Sequence, residues 1–268
     1  MKNKYLELSN YLNKASFYWN KIYHEPFYNK NIAREDERKK FLELGFNYDE
    51  ALEKMNNILH EMGKPDFESQ EGMGSIHWLI FCCIEQVAQI KNILEIGTFD
   101  GETALLLSKI FPNSLITTLD LPPNDPIFEG SYYRDDQNYR EKFIRKRNEN
   151  ISSPQIKYIE SNSFFLLDVV EDKFDLIWVD AGHLYPEVSW DICNAYHLCK
   201  KQGWLMCDDI IKNKKGLRNH LVSPDSYEIL DYVDKRTEDE INYFLKRESP
   251  AFSANPRIRK YVSVLQKS

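Results

Sequence analysis

Seven residues, Glu95-Ile96-Gly97-Thr98-Phe99-Asp100-Gly101, carry the first chemical signal in the chain. They complete an apolar run (Ile93, Leu94, Ile96) and precede a helical apolar pattern, Ala104, Leu105, Leu106 and Leu107. A strand, a glycine turn and a helix in that order let a backbone approach a nucleotide-like ligand closely. Glu95, two residues before the first glycine, constrains the ligand's charge: a buried carboxylate there repels a pyrophosphate and suits a cationic amine. Asp120 follows Gly97 by 23 residues and closes a second apolar run. An acid in that place can accept hydrogen bonds from both hydroxyls of a ribose. Alone, Asp120 reads as a turn cap before Leu121-Pro122-Pro123; beside the glycine turn, the ribose role is favoured. Three more polar groups follow apolar runs: Ser161-Asn162-Ser163, Asp180-Ala181-Gly182-His183 and Asp208-Asp209.

The elements that must hold these groups are short strands at residues 115–119, 157–160, 174–179 and 204–207, with helical patterns between them, such as 186–200. Strands alternating with helices imply a parallel sheet with right-handed crossovers. Ligands of such sheets sit beyond the carboxyl ends of the strands, where the acids listed above fall. In the tail, a helix near 226–235 precedes two strand-like runs, 240–246 and 260–266, with Pro250, Asn255 and Pro256 between them. These predict an antiparallel hairpin at one sheet edge. Toward the other end, Asn47 caps a helix with Ala51, Leu52, Met55, Ile58, Leu59 and Met62 on one face, closed by Gly63-Lys64-Pro65. Another helix is expected over 75–89. Residues 1–70 read as a charged helical extension or cap, and residues 71–268 as the main domain. The aromatic stretch 5–28 suits a cover over substrate, a homodimer contact, or simply helices packed on the main unit.

Composition narrows the class. The chain has 268 residues, 42% of them hydrophobic, enough for one large α/β domain with additions. A net charge of −7 argues against a dedicated nucleic-acid binder. No apolar run approaches a membrane span, and the N-terminus lacks the apolar core of a signal peptide. Five cysteines without a C-x-x-C spacing indicate neither a disulfide framework nor a zinc knuckle, so a reducing cytoplasm is the expected setting.

The ordered set Glu95-x-Gly97-x-x-x-Gly101, Asp120 and the F-D-L-I-W-V-D run ending at Asp180 resembles a class I S-adenosylmethionine-dependent methyltransferase over roughly residues 72–211. The tail matches by pattern. The resemblance implies an α/β fold: a Rossmann-like, seven-stranded, mostly parallel sheet with helices on both faces and an antiparallel C-terminal edge hairpin. It implies that Gly97, Thr98, Phe99 and Gly101 line the methionine part of S-adenosyl-L-methionine and that Glu95 faces its ammonium. Thr103 would reach its carboxylate, Asp120 would hold the ribose, and Asn162 would stand near the adenine amine. Gly72-Met73-Gly74-Ser75 reads either as a contact to the amino-acid end or as a helix start.

Within that class the chain is most similar to the metal-dependent small-molecule O-methyltransferases of the catechol and caffeoyl-coenzyme A type, and to bacterial sugar O-methyltransferases. This implies that Asp180, Asp208 and Asp209 hold Mg2+, or Mn2+ or Ca2+, since clustered carboxylates call for a neutralising cation and hard oxygens suit these ions. His183 falls where the catechol enzymes carry a lysine base, which makes it the candidate general base. In metal-free relatives an acid at the position of Asp180 contacts substrate instead, and Asp208-Asp209 also reads as a turn cap. The expected acceptor is a small polar molecule with sugar or diol hydroxyls, and residues 121–140, with Tyr132, Tyr133 and Arg134, suit a lid. Two other readings remain: an NAD(P)-dependent oxidoreductase, which would want a middle glycine that Gly97–Gly101 lacks, and a non-catalytic binding scaffold on the same fold.

Overall fold

Side-chain caps fix the first helices in the computed structural model, which describes residues 19, 21–69, 74–214 and 223–268. Asn29 Oδ1 accepts from Asn31 N–H and Ile32 N–H at the start of α1 (Lys30–Glu43). Asn47 Oδ1 accepts from Glu50 N–H at 3.2 Å at the start of α2 (Tyr48–Glu61), as the sequence predicts. After α3 (His77–Val87) the chain alternates: β1 (Asn92–Ile96), α4 (Glu102–Ile110), β2 (Leu115–Asp120), α5 (Pro126–Gly130), α6 (Gln137–Asn150), β3 (Ile156–Glu160), α7 (Leu166–Val169), β4 (Phe174–Val179), α8 (Glu187–Leu198) and β5 (Cys199–Ile210). The tail adds α9 (Asp225–Asp234), β6 (Ile241–Leu245), α10 (Pro250–Ser253) and β7 (Tyr261–Gln266).

The seven strands form one sheet in the order β3-β2-β1-β4-β5-β7-β6. The first five pair in parallel, and β7 pairs antiparallel with both β5 and β6. This is the seven-stranded α/β architecture expected above. Because successive strand residues face opposite sides, the sheet divides its apolar residues between two layers. Ile93, Leu176, Trp178 and Met206 pack with Phe41, Met55, Phe81 and Leu107 on one side. Leu94, Ile96, Ile177 and Leu205 pack with Val188, Ile192 and Leu230 on the other.

α1, α2 and the turn between them reach deep into the first layer. Phe41 lies 5.0 Å from Phe244 between ring centroids, and Phe46 lies 5.6 Å from Trp204. The fifth strand is far longer than the four residues expected, since Cys199 pairs with Phe174 and the segment is flanked by β7. That extension comes from long-range pairing, which local sequence does not encode. Among the described residues no helix is long and apolar enough to cross a membrane.

Candidate active site

The strand order reverses direction between β1 and β4, the switch point at which open α/β sheets bind ligands. Glu95 sits there, fully buried near the end of β1. One carboxylate oxygen accepts from Thr118 Oγ1 on β2 at 2.5 Å, and Thr118 is 2.6 Å from Thr98 Oγ1. The other, Oε1, has no partner among the described residues. Burial pushes the Glu95 pKa up to about 8, and the Thr118 hydrogen bond offsets only part of that. A buried acid with one oxygen unpaired fits a ligand ammonium. Gly97 makes the approach possible: its φ is +102°, and an added Cβ would lie 2.7 Å from the Asp180 carbonyl carbon and closer still to its oxygen. The β1 and β4 ends therefore touch, with Asp180 N–H donating to Ile96 O at 2.9 Å.

Asp120, half-buried at the end of β2, accepts Phe99 N–H and Leu121 N–H, each at 2.7 Å and one on each oxygen. Burial raises its pKa, with these two amides opposing the rise. Asp120 thus fixes the glycine turn, where Phe99 has φ 50°, and a second lone pair on each oxygen remains for ribose hydroxyls. Gly101 N-caps α4 at φ +76°, and Thr103 lies half-buried in that helix's first turn. Asn162 has a structural duty: its Oδ1 accepts Phe164 N–H at 2.9 Å and caps the short turn Ser163–Phe165. Of the residues expected to form a lid, Arg134 is buried, with its guanidinium 3.9 Å above the Phe128 ring. Tyr132 and Tyr133 are exposed, and the Tyr132 ring lies 5.1 Å from Phe99. Burial and then Asp180 and Asp209 raise the Tyr132 pKa. Gly74 and Ser75 precede α3, while Gly72 and Met73 lie outside the described residues.

The second half of the site is built from β4 and β5. About a third of the Asp180 side chain is open. His183 Nε2 stands 3.8 Å from Asp180 Oδ1 and 3.6 Å from Asp209 Oδ2. Burial lowers the His183 pKa and outweighs the pull of Asp209 and Asp208, which favours the neutral imidazole. Burial and then Asp208 raise the Asp180 pKa well above the usual carboxylate range. Consecutive residues of a regular strand point to opposite faces. Here the β5–β7 register shifts between Cys207 and Ile210, and Asp209 takes a φ of 55°. That bulge turns both acids onto one partner: Lys246 Nζ donates to Asp208 Oδ2 and, at 2.5 Å, to Asp209 Oδ1. Lys260 Nζ donates to Asp209 Oδ2.

These contacts bear directly on the expected metal. Three of the four oxygens of Asp208 and Asp209 carry ammonium donors, while Asp208 Oδ1 is buried without a partner among the described residues. Among the described residues no group of three or more His, Cys, Asp or Glu is placed to hold a metal ion. Asp180, Asp208 and Asp209 do gather at one rim, but as arranged they do not fit a divalent cation. Burial alone would raise the Asp209 pKa, yet Lys246 and then Lys260 and His183 hold it well below the carboxylate range.

Sequence reasoning missed Thr118, both lysines and His77. His77 is buried, 2.7 Å from Ser75 Oγ through Nδ1, stacked 4.4 Å from Trp178, and unpartnered at Nε2 among the described residues. A usable signal existed for the lysines, since each stands at the rim end of a strand-like run. Nothing local marks His77 as more than a helix-start residue.

Residues 94–210 match the family described as "Methyltransferase domain". Among solved structures, the O-methyltransferase TomG from Streptomyces achromogenes, involved in tomaymycin synthesis and crystallised with S-adenosylmethionine, is 16% identical. The match covers 85% of this chain and 95% of that one, with a TM-score of 0.50. An O-methyltransferase from Bacillus cereus, in complex with SAH, is 14% identical over 85% of this chain and 96% of that one, with a TM-score of 0.48. Comparison with curated proteins finds no match. At such identities the structural likeness is one of fold. Residues 94–210, which take in most of β1, all of β2 to β5 and every acid of the rim, are a methyltransferase domain on a class I fold.

Proposed function

We propose that this domain moves a methyl group from S-adenosylmethionine to a hydroxyl oxygen of a small polar acceptor, of sugar or diol type. The observation that carries the reading is the buried Glu95 Oε1, unpaired among the described residues, beside the Gly97 turn that Asp120 fixes. That arrangement suits a ligand bearing an ammonium at one end and a ribose further along. Its shared fold with TomG, an O-methyltransferase solved with this cofactor, points the same way.

S-adenosylmethionine brings an already activated methyl group, so the protein needs to orient, exclude water and take a proton. Glu95 orients the amino-acid end, and Asp120 the ribose. His183, neutral and free of a hydrogen bond shorter than 3.5 Å to either neighbouring acid, accepts the acceptor's hydroxyl proton at Nε2. Asp209, whose Oδ2 stands 3.6 Å from Nε2, then stabilises the imidazolium charge. The test is calorimetric titration with S-adenosylmethionine and, separately, with NAD. Binding of the first alone is expected. Binding of NAD alone would replace this reading with the oxidoreductase, and binding of neither would favour a scaffold.

A further inference from the structure

We infer that Lys246 and Lys260 are the resident cations of the acceptor side, filling with two ammonium groups the place a divalent metal would need. Topology delivers them. β7 runs antiparallel to β5 and β6 antiparallel to β7, so the end of β6 and the start of β7 lie at the same rim as the end of β5. Lys246 follows β6 directly and Lys260 precedes β7 directly. Their backbones are tied together, with Lys246 N–H donating to Lys260 O at 3.0 Å. Ile76 N–H, just before α3, donates to Lys246 O at 3.0 Å. Lys246 is therefore anchored on both sides of its peptide, and its side chain is only 9% exposed.

The charges match. Asp208 and Asp209 bring two carboxylates, and Lys246 and Lys260 bring two ammonium groups. A buried acid pair is costly until a cation neutralises it, and here the neutralising groups are covalently part of the chain. The bulge that turns Asp208 and Asp209 to one side serves this contact, since Lys246 bridges the two. Magnesium or manganese would need several oxygens free to converge on it, and of the six on Asp180, Asp208 and Asp209 three already receive ammonium donors. Lys246 and Lys260 are positioning residues. They hold Asp209, and Asp209 Oδ2 stands 3.6 Å from His183 Nε2. That this arrangement serves methyl transfer rests on the function proposed above; the cation claim rests on geometry alone.

The two are tested separately. Titrating Mn2+ into the full-length chain under electron paramagnetic resonance should leave the aqueous Mn2+ signal intact. Stoichiometric uptake that is lost in Asp209→Asn would overturn the inference. In a Lys246→Ala/Lys260→Ala double variant the freed carboxylates should bind Mn2+ at least about tenfold more tightly than wild type and raise its melting temperature on adding the ion. A folded double variant that leaves Mn2+ free would also overturn it. If the double variant does not fold, the wild-type titration and its Asp209→Asn control decide alone. Once an acceptor is in hand, wild-type turnover in excess chelator should stay within about twofold of the untreated enzyme. Loss of turnover restored by Mg2+ would defeat the inference while leaving the methyltransferase reading intact.

Discussion

At the scale of single residues, the site depends on what burial does to charge. Glu95 has its pKa pushed up to about 8 from an ordinary 4.5. The folded chain therefore holds a proton there that the unfolded chain has released, and this group's contribution to stability falls as pH rises from about 4.5 to about 8. A ligand ammonium needs the ionised form, so binding S-adenosylmethionine near pH 7 should expel a proton from Glu95. Calorimetry in buffers of different ionisation heat reads this directly. Proton release should disappear in Glu95→Gln, with affinity at least about tenfold weaker; equal release in both proteins would remove Glu95 from the ammonium site. His183→Gln should lower single-turnover methyl transfer by about a hundredfold or more while leaving cofactor affinity unchanged. A parallel loss of affinity would assign His183 to binding. Glu95, Gly97, Gly101 and Asp120 were legible as types at fixed spacing along adjoining elements. Thr118 was not, because its contact with Glu95 crosses from β2 to β1 and its own neighbourhood is an ordinary strand.

At the scale of elements, the turn after β1 and the bulge in β5 do the positioning. Gly97 combines a left-handed φ with a backbone wall at Asp180, so neither strain nor crowding can relax. Gly97→Ala should cost about 3 kcal/mol or more in urea denaturation. Gly101→Ala should cost about 1–2 kcal/mol, because its strain is similar but its nearest obstacle is the movable Ile151 side chain. Near-equal costs would mean the Asp180 contact is soft. The glycine turn could be read from sequence because glycine is itself the signal for φ > 0. The β5 bulge could not, since Asp209 is an unusual residue at φ 55° and only pairing with β7 reveals the shifted register. Asn162 shows a duty that the sequence left unread: besides the ligand contact its strand-end position suggests, its Oδ1 accepts Phe164 N–H as a local cap, a common use of asparagine.

At the scale of the whole molecule, α1 and α2 share a core with the sheet through Phe41, Phe46 and Met55. A chain beginning at residue 70 should therefore lose cooperative thermal unfolding and near-ultraviolet dichroism, and Phe41→Ala alone should cost about 3–5 kcal/mol. A truncated chain that unfolds cooperatively would show that residues 71–268 stand as an independent domain. The sequence by itself determined the alternation of strands and helices, the antiparallel pair at the end, the glycine turn and the acids at the strand ends, because periodicity, glycine and chain order are local properties. Only the tertiary structure decided what those acids face. Lys246 and Lys260 reach Asp208 and Asp209 from more than thirty residues away, through a hairpin whose register is set by pairing, and electrostatics acts on distance in space rather than along the chain.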